Sequence, residues 1–198
     1  MQSLSPVLVT PPSEKLMTLD EAKRHIKRDD DDDNQVINDL IDLVGAHLDG
    51  LNGILGRALV NQTWAETHSD FPVGDYLCVA LAPLVSVSSI KYFDTDNAEQ
   101  TLDAGSYSGI NTTLRPYVRL GSQSSWPSTY DRPDAVTVTY VAGYGANAAA
   151  VPAPIRHAAK LFLGHFYENR EAAFFGTIGA VLPLGVMNLL RPFIRPRF

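Results

Sequence analysis

The stretch Ala135-Val-Thr-Val-Thr-Tyr-Val141 decides the fold. Val136, Val138 and Tyr140 alternate with Thr137, Thr139 and Val141, and a period of two places the two sets on opposite faces of a strand. β-Branched and aromatic side chains suit a pleated, half-buried surface. Gly143-Tyr-Gly145 then ends the run. Similar composition recurs upstream. Strands are predicted over residues 59–68, which contain Gln62-Thr-Trp64, and over 76–82, ended by Pro83. A third carries Val85, Val87, Ile90 and Tyr92. Asp94-Thr-Asp-Asn97 is a turn signal, so residues 100–102 can return as a hairpin partner. Residues 107–110 and 117–120 are shorter strand candidates.

Helical patterns flank this β-rich middle. Thr18-Leu-Asp-Glu21 is a capping box, and Leu19, Ala22 and Ile26 share one face, so a short helix is predicted over 18–28. Its basic end (Lys23, Arg24, Lys27, Arg28) suits the negative pole of a helix. Val36, Ile37, Leu40, Ile41, Val44, Leu48 and Leu51 repeat at helical spacing, predicting a long amphipathic helix over 33–53 that stops near Gly53 and Gly56. Pro152 and Pro154 introduce another, with Ile155, Ala158, Ala159, Phe162, Leu163 and Phe166 on its apolar face, running to about residue 171. A loop and a short helix over 183–190 follow. Two prolines keep Arg191-Pro-Phe-Ile-Arg-Pro-Arg-Phe198 from being a regular helix, and it reads as an extended basic and aromatic tail. The order of elements predicts an α+β fold: N-terminal helices, a central antiparallel β-sheet region, then a long C-terminal helix and an extended tail. The expected organisation is an arm over 1–17, a body over 18–171, a loop and short helix over 172–190, and the tail over 191–198.

A chain of 198 residues can bury a substantial core without covalent staples. The single cysteine, Cys78, excludes an intramolecular disulfide framework and a cysteine-based zinc site. The net charge of −6 argues against a general nucleic-acid binder. That average hides a split. Residues 1–155 hold 10 Lys/Arg and 20 Asp/Glu, whereas residues 156–198 hold 6 and 2. Such asymmetry marks an interaction end. The N-terminal segment, with three prolines and no basic start, is not a secretory signal but an extended arm. Residues 172–190 carry no charge and are long enough to span a membrane, yet Gly176, Gly179, Pro183, Gly185 and Asn188 interrupt them. The expectation is therefore a loop and short helix, with no membrane partner.

Few residues point to chemistry. Asp29–Asp33 matches a calcium loop at Asp29, Asp31 and Asp33, but the sixth and twelfth positions are Asn34 and Leu40, where glycine and glutamate are needed. The run reads instead as the acidic N-terminus of a helix. His157, His165 and Glu168 lie on one helix and could serve a metal-dependent hydrolase only with a further ligand, since HExxH is absent. Gly143-Tyr-Gly145-Ala-Asn-Ala148 resembles a nucleotide loop, but prolines follow and no Gly-Lys-Ser/Thr occurs, so it reads as a strand-ending turn. No nucleophile constellation appears. The expectation is a non-enzymatic protein without a cofactor; the alternatives are the hydrolase and a membrane-active protein using residues 172–190. In the tail, Arg191, Arg195 and Arg197 alternate with Phe193, Ile194 and Phe198. Arginine and aromatics are enriched at interface hot spots, so the tail reads as a docking segment.

An ordered series of motifs carries a resemblance. Leu19-Asp-Glu-Ala-Lys23 and the aspartate step come first, then Gly56-Arg-Ala-Leu59, Gln62-Thr-Trp64, Pro83-Leu-Val-Ser-Val87, Tyr92-Phe-Asp94 and Gln100-Thr-Leu102. Trp126-Pro127, Arg132-Pro-Asp-Ala-Val-Thr-Val138, Ala142-Gly-Tyr-Gly145, Val151-Pro152, Ile155-Arg156, His165-Phe-Tyr-Glu-Asn-Arg-Glu171 and Leu182-Pro-Leu-Gly-Val186 complete it. Over residues 17–192 the chain resembles the tailed-phage head–tail connectors, or adaptors, of siphovirus-like phages, prophages and gene transfer agents. The resemblance implies a structural virion protein, assembled in the host cytoplasm and located at the head–tail junction. It implies a dodecameric ring on the portal protein, which extends the DNA channel and offers a platform to stopper or other tail-proximal proteins. DNA would pass without specific binding. By position, portal binding would fall on Leu190, Arg191, Phe193, Ile194, Arg195, Arg197 and Phe198.

Overall fold

A computed structural model describes residues 6–112, 115–122, 124–169 and 184–195. The predicted central strand forms as β8 (Val136–Ala142), with Val136, Val138, Tyr140 and Ala142 fully buried and the intervening residues half-buried. It is the middle strand of a five-stranded antiparallel sheet. On one side lies β2 (Gln62–His68), with Trp64 opposite Tyr140 and Glu66 opposite Val138. On the other lies β4 (Leu84–Phe93), whose pairing is interrupted by two register shifts. The edges are β1 (Val7–Thr10) against β2 and β5 (Glu99–Thr101) against β4, the latter being the expected hairpin return. A second, three-stranded sheet contains β3 (Tyr76–Cys78), β6 (Tyr107–Ile110) and β7 (Tyr117–Leu120), with β7 in the middle. All pairings are antiparallel.

Among the described residues, four α-helices complete the α+β fold. The capping box of α1 (Leu19–Ile26) is made in both directions: the Glu21 amide donates to Thr18 Oγ1 at 3.2 Å, and the Thr18 amide donates to Glu21 Oε2 at 3.2 Å. Helix α2 (Asn34–Leu48) buries Ile37, Ile41, Val44 and Leu48 of the predicted stripe and half-buries Leu40, whereas Val36 is exposed and Leu51 lies beyond the helix. It stops earlier than the glycines at 53 and 56 suggested, because Gly50 turns the chain at φ +77° and its amide donates to the Arg57 carbonyl at 2.7 Å. Helix α3 (Ala153–Glu168) buries Ile155, Ala158, Ala159, Phe162, Leu163 and Tyr167. Helix α4 (Leu184–Leu190) buries Val186 and Leu190.

The apolar interior has two parts. The helices pack with Leu16, Met17, Leu55 and Leu59 in one cluster. The inner faces of the sheets enclose the other, where Leu77, Val118, Ile90, Val138 and Tyr140 meet Phe71 stacked on Trp126 at 4.7 Å. Each fully buried large side chain contributes roughly 1.5–3 kcal/mol.

Two expectations change. The N-terminal arm is not merely extended: residues 7–10 form an edge strand, exposed at all four positions. The strand predicted over 76–82 ends at Cys78: the Val79 amide donates to the Pro116 carbonyl at 3.0 Å, and side chains capture the two amides after it, Glu66 Oε1 accepting from Ala80 at 2.5 Å and the Tyr140 hydroxyl from Leu81 at 3.3 Å.

Candidate functional site

The loop between α2 and β2 receives the C-terminal segment. Gly56 takes φ +60°, a left-handed conformation that glycine adopts without strain. On its two sides the loop makes two clamps. The Arg195 amide donates to the Leu55 carbonyl at 3.0 Å, and Arg57 Nε donates to the Phe193 carbonyl at 2.7 Å. Arg57 is only 5% exposed, so this charge-assisted bond is sheltered from water. Residues 191–193 form a single 3-10 turn, consistent with proline excluding a regular helix.

The structure thereby sorts the sequence-predicted docking residues. Leu190 is fully buried in the helical cluster. Phe193 and Ile194 are half-buried against it, Arg195 is half-buried, and Arg191 is exposed. Arg197 and Phe198 lie outside the described residues. The segment is therefore bound to its own chain through residue 195, a feature that its composition alone did not reveal.

Beneath Arg195 lies a buried polar cluster. Glu66 is 2% exposed and accepts a very short hydrogen bond from the Tyr140 hydroxyl as well as the Ala80 amide. Burial raises the pKa of the Glu66 carboxyl, against the Tyr140 and Ala80 hydrogen bonds and the Arg195 charge, which lower it. Burial also raises that of Tyr140, helped by the Glu66 charge. For Arg195 the direction is downward, from burial first and then from the charges of Arg115 and Arg57. His68, on the same inward face of β2, is 2% exposed with neither ring nitrogen hydrogen-bonded; burial lowers its pKa to about 4. Glu66, His68 and Arg57 were not singled out from sequence. The available signal was Gln62-Thr-Trp-Ala-Glu-Thr-His68, in which strand alternation puts Glu66 and His68 on the face of Trp64.

A cleft of about 580 Å³ opens beside the clamp. Arg57, Leu84, Val85, Asn111, Thr112 and Phe193 are among its lining residues. The lining residue Thr112 accepts the Arg115 amide at its Oγ1, at 3.2 Å.

The aspartate run sits at the N-terminus of α2, as expected. Asp33 occupies the cap position, and its Oδ2 accepts from the Tyr167 hydroxyl at 2.5 Å. Tyr167 in turn accepts from Arg28 Nε at 2.8 Å, tying the run to α3. Lys23 pairs with Asp31 at 2.8 Å and Arg28 with Asp30 at 3.4 Å. Asp29 and Asp32 are exposed and enter no ion pair among the described residues.

Among the described residues, no three of His, Cys, Asp and Glu come together as a metal site. His165 Nδ1 lies 3.2 Å from Asn169 Nδ2. The charge of His157 falls on His25, whose pKa is lowered by burial first and by His157 and Lys160 after it. Gly143 has φ +149°, and a Cβ there would lie 2.6 Å from the Asn61 backbone, so this glycine serves a close chain crossing. No helix among the described residues is long and apolar enough to cross a membrane; most of residues 172–190 lies outside the described set.

No family model matches the chain, and no curated protein matches it. Solved structures do. A chain in the virion of a native gene transfer agent particle superposes with a TM-score of 0.78 at 19% identity, over 98% of this chain and 97% of that one. Chains in the neck of an empty gene transfer agent particle, computed with C6 symmetry, and in the neck of a native one, computed with C12 symmetry, give TM-scores of 0.77 and 0.72 at the same identity and coverage. Nearly end to end, this chain has the fold of a chain found in the gene transfer agent neck.

Proposed function

We propose that the chain is a structural head–tail connector: an adaptor that forms a ring on the capsid portal, extends the DNA channel and carries the stopper or tail proteins. The observation that carries this reading is the match over 98% of the chain to chains of a neck that has cyclic symmetry. A closed ring of one protein requires heterologous contacts, in which two different surfaces of the subunit meet. The acidic body suits a channel wall, since like charge keeps DNA phosphates from adhering. The role is structural rather than enzymatic, with no cofactor.

Portal binding falls in this reading on the C-terminal segment, with a division of labour. Leu190, Phe193, Ile194 and Arg195 anchor the segment to its own fold, and the exposed Arg191 together with Arg197 and Phe198 engages the portal. Deleting residues 196–198 tests this without touching either clamp. The truncated protein is expected to unfold at the same temperature as the full chain and to lose co-purification with portal. Undiminished portal binding would refute the assignment.

A further inference from the structure

We propose that successive subunits meet through two surfaces of the chain: the outward face of α2, which carries Val36, Asp39 and Leu43, docks on the open face of the three-stranded sheet of the next copy, where Arg119 lies beside Tyr76 and Tyr117. The inference rests on the ring reading and adds the two surfaces that close the ring.

Helix α2 is apolar on two sides. Ile37, Ile41, Val44 and Leu48 face the helical cluster. Val36, Asp39, Leu43 and Ala46 stand at i, i+3, i+7 and i+10, which is one face of a helix, and all four are exposed. Val36 is 38% exposed and Leu43 49%. A surface helix ordinarily carries one apolar stripe and is polar elsewhere, so a second strip marks a face that a partner covers. Asp39 sits within that strip, one turn from Val36 and one from Leu43. It accepts from Gln35 Nε2 at 2.9 Å and enters no ion pair among the described residues.

The three-stranded sheet supplies the complement. Leu77 of β3 and Val118 and Leu120 of β7 are buried on its inner side, and strand alternation turns Tyr76, Tyr117 and Arg119 to the other. Tyr76 stands opposite Arg119 across the two strands. Its ring meets that of Tyr117 edge-on at 5.1 Å, and the Arg119 guanidinium lies over it at 5.9 Å. The three side chains therefore hold one another in place, so docking on them orders little that is not already ordered. Yet Tyr76 is 51% exposed, and Arg119 is exposed and enters no ion pair among the described residues. Tyrosine and arginine are the residue types that dominate binding hot spots.

The two faces match in chemistry and in place. One is a cation beside two aromatic rings; the other is an anion between two aliphatic side chains. Opposite charges set among apolar neighbours fix register as well as affinity. Helix α2 packs on α1 and α3, whereas β7 packs between β3 and β6, so the faces belong to different parts of the fold. A closed ring repeats one contact of this heterologous kind at every step. A second copy of the chain thus covers both faces at once, the helix of one subunit and the sheet of the next.

The test uses the full-length chain with Arg119→Asp, with Asp39→Arg, and with both changes together. Every altered side chain is exposed, and circular dichroism checks that each variant folds. Each single change sets like charge against like charge at every contact, and incorporation into particles is expected to fall at least about tenfold. The double reversal restores opposite charges and is expected to recover it. A second measurement does not depend on charge. Cys78, the only cysteine, stands opposite Tyr117 on the same sheet. In a Leu43→Cys variant, a flexible bismaleimide added during assembly is expected to join successive copies into a covalent ladder, and adding Cys78→Ser is expected to abolish it. Single reversals that incorporate as well as the unaltered chain would overturn the contact and leave the ring reading intact. So would a folded double reversal that does not recover, or particles with a ring of this chain but no ladder. Particles of the unaltered chain with no ring of it would overturn both.

Discussion

The amide of Arg195 donates to the carbonyl of Leu55 at 3.0 Å, joining residues 140 positions apart at the foot of a glycine turn. With Arg57 on Phe193, this bond makes the C-terminal segment part of the fold before it is available to any partner. The segment's direction of exit is thus set by the loop between α2 and β2.

Arg57→Ala is expected to weaken that clamp. It removes a charge-assisted bond to Phe193 in a buried setting, which costs about 2 kcal/mol. Urea unfolding measures the loss, and protease sensitivity after residue 190 should rise with it. Unchanged stability would show the bond to be dispensable.

The Glu66–Tyr140 pair makes a prediction about pH. Burial raises the folded-state pKa of Glu66 above its unfolded value. The folded protein therefore holds this proton over a range in which the unfolded chain has lost it. Stability from this group is full below the ordinary glutamate value and falls as pH rises through the folded value. The melting temperature of Glu66→Gln, compared with the unaltered chain, should gain relative stability as pH rises across that range. Tyr140→Phe, which strands the carboxyl with one donor fewer, should cost about 1–3 kcal/mol.

His68 acts in the opposite direction. Its folded-state pKa is lowered to about 4 by burial, from an ordinary 6.5. As pH falls from 6.5 toward 4 the unfolded chain takes up a proton that the folded one refuses, so stability falls with it. His68→Leu, measured from pH 7 to pH 4, is expected to lose less stability than the unaltered chain. Parallel curves would remove His68 as a source of acid sensitivity.

Gly143→Ala should be severely destabilising. The backbone at φ +149° is open essentially to glycine alone, and a Cβ would strike the Asn61 backbone at 2.6 Å. The strain exceeds about 2 kcal/mol, and thermal unfolding should show it. Gly56→Ala is a milder control: its φ of +60° is unfavourable, but its Cβ would only touch Arg195 at 3.7 Å.

Much of this fold was legible from local chemistry. The alternation around Tyr140, the capping box at Thr18 and the apolar stripes of α2 and α3 each reported a buried face directly. Two strand-boundary misses share a cause, in that side chains took backbone donors the pattern assigned to strands. Asp49 Oδ1 takes the Leu59 amide at 2.8 Å, so β2 starts at Gln62 rather than 59. Glu66 and Tyr140 shorten β3 in the same way. Strand β1 escaped notice because all its residues are exposed, leaving no alternation to read. In the C-terminal segment, basic and aromatic character was visible, but its anchorage depends on the turn at Gly56, which no periodicity encodes.

Electron cryo-microscopy of tailed particles that carry this chain tests the central claim most directly. The account predicts a ring of this chain between portal and tail, with twelve copies if it follows the C12 neck whose fold it shares, and with residues beyond 195 entering the portal. Intact, tail-bearing particles whose neck is built without this chain would contradict it.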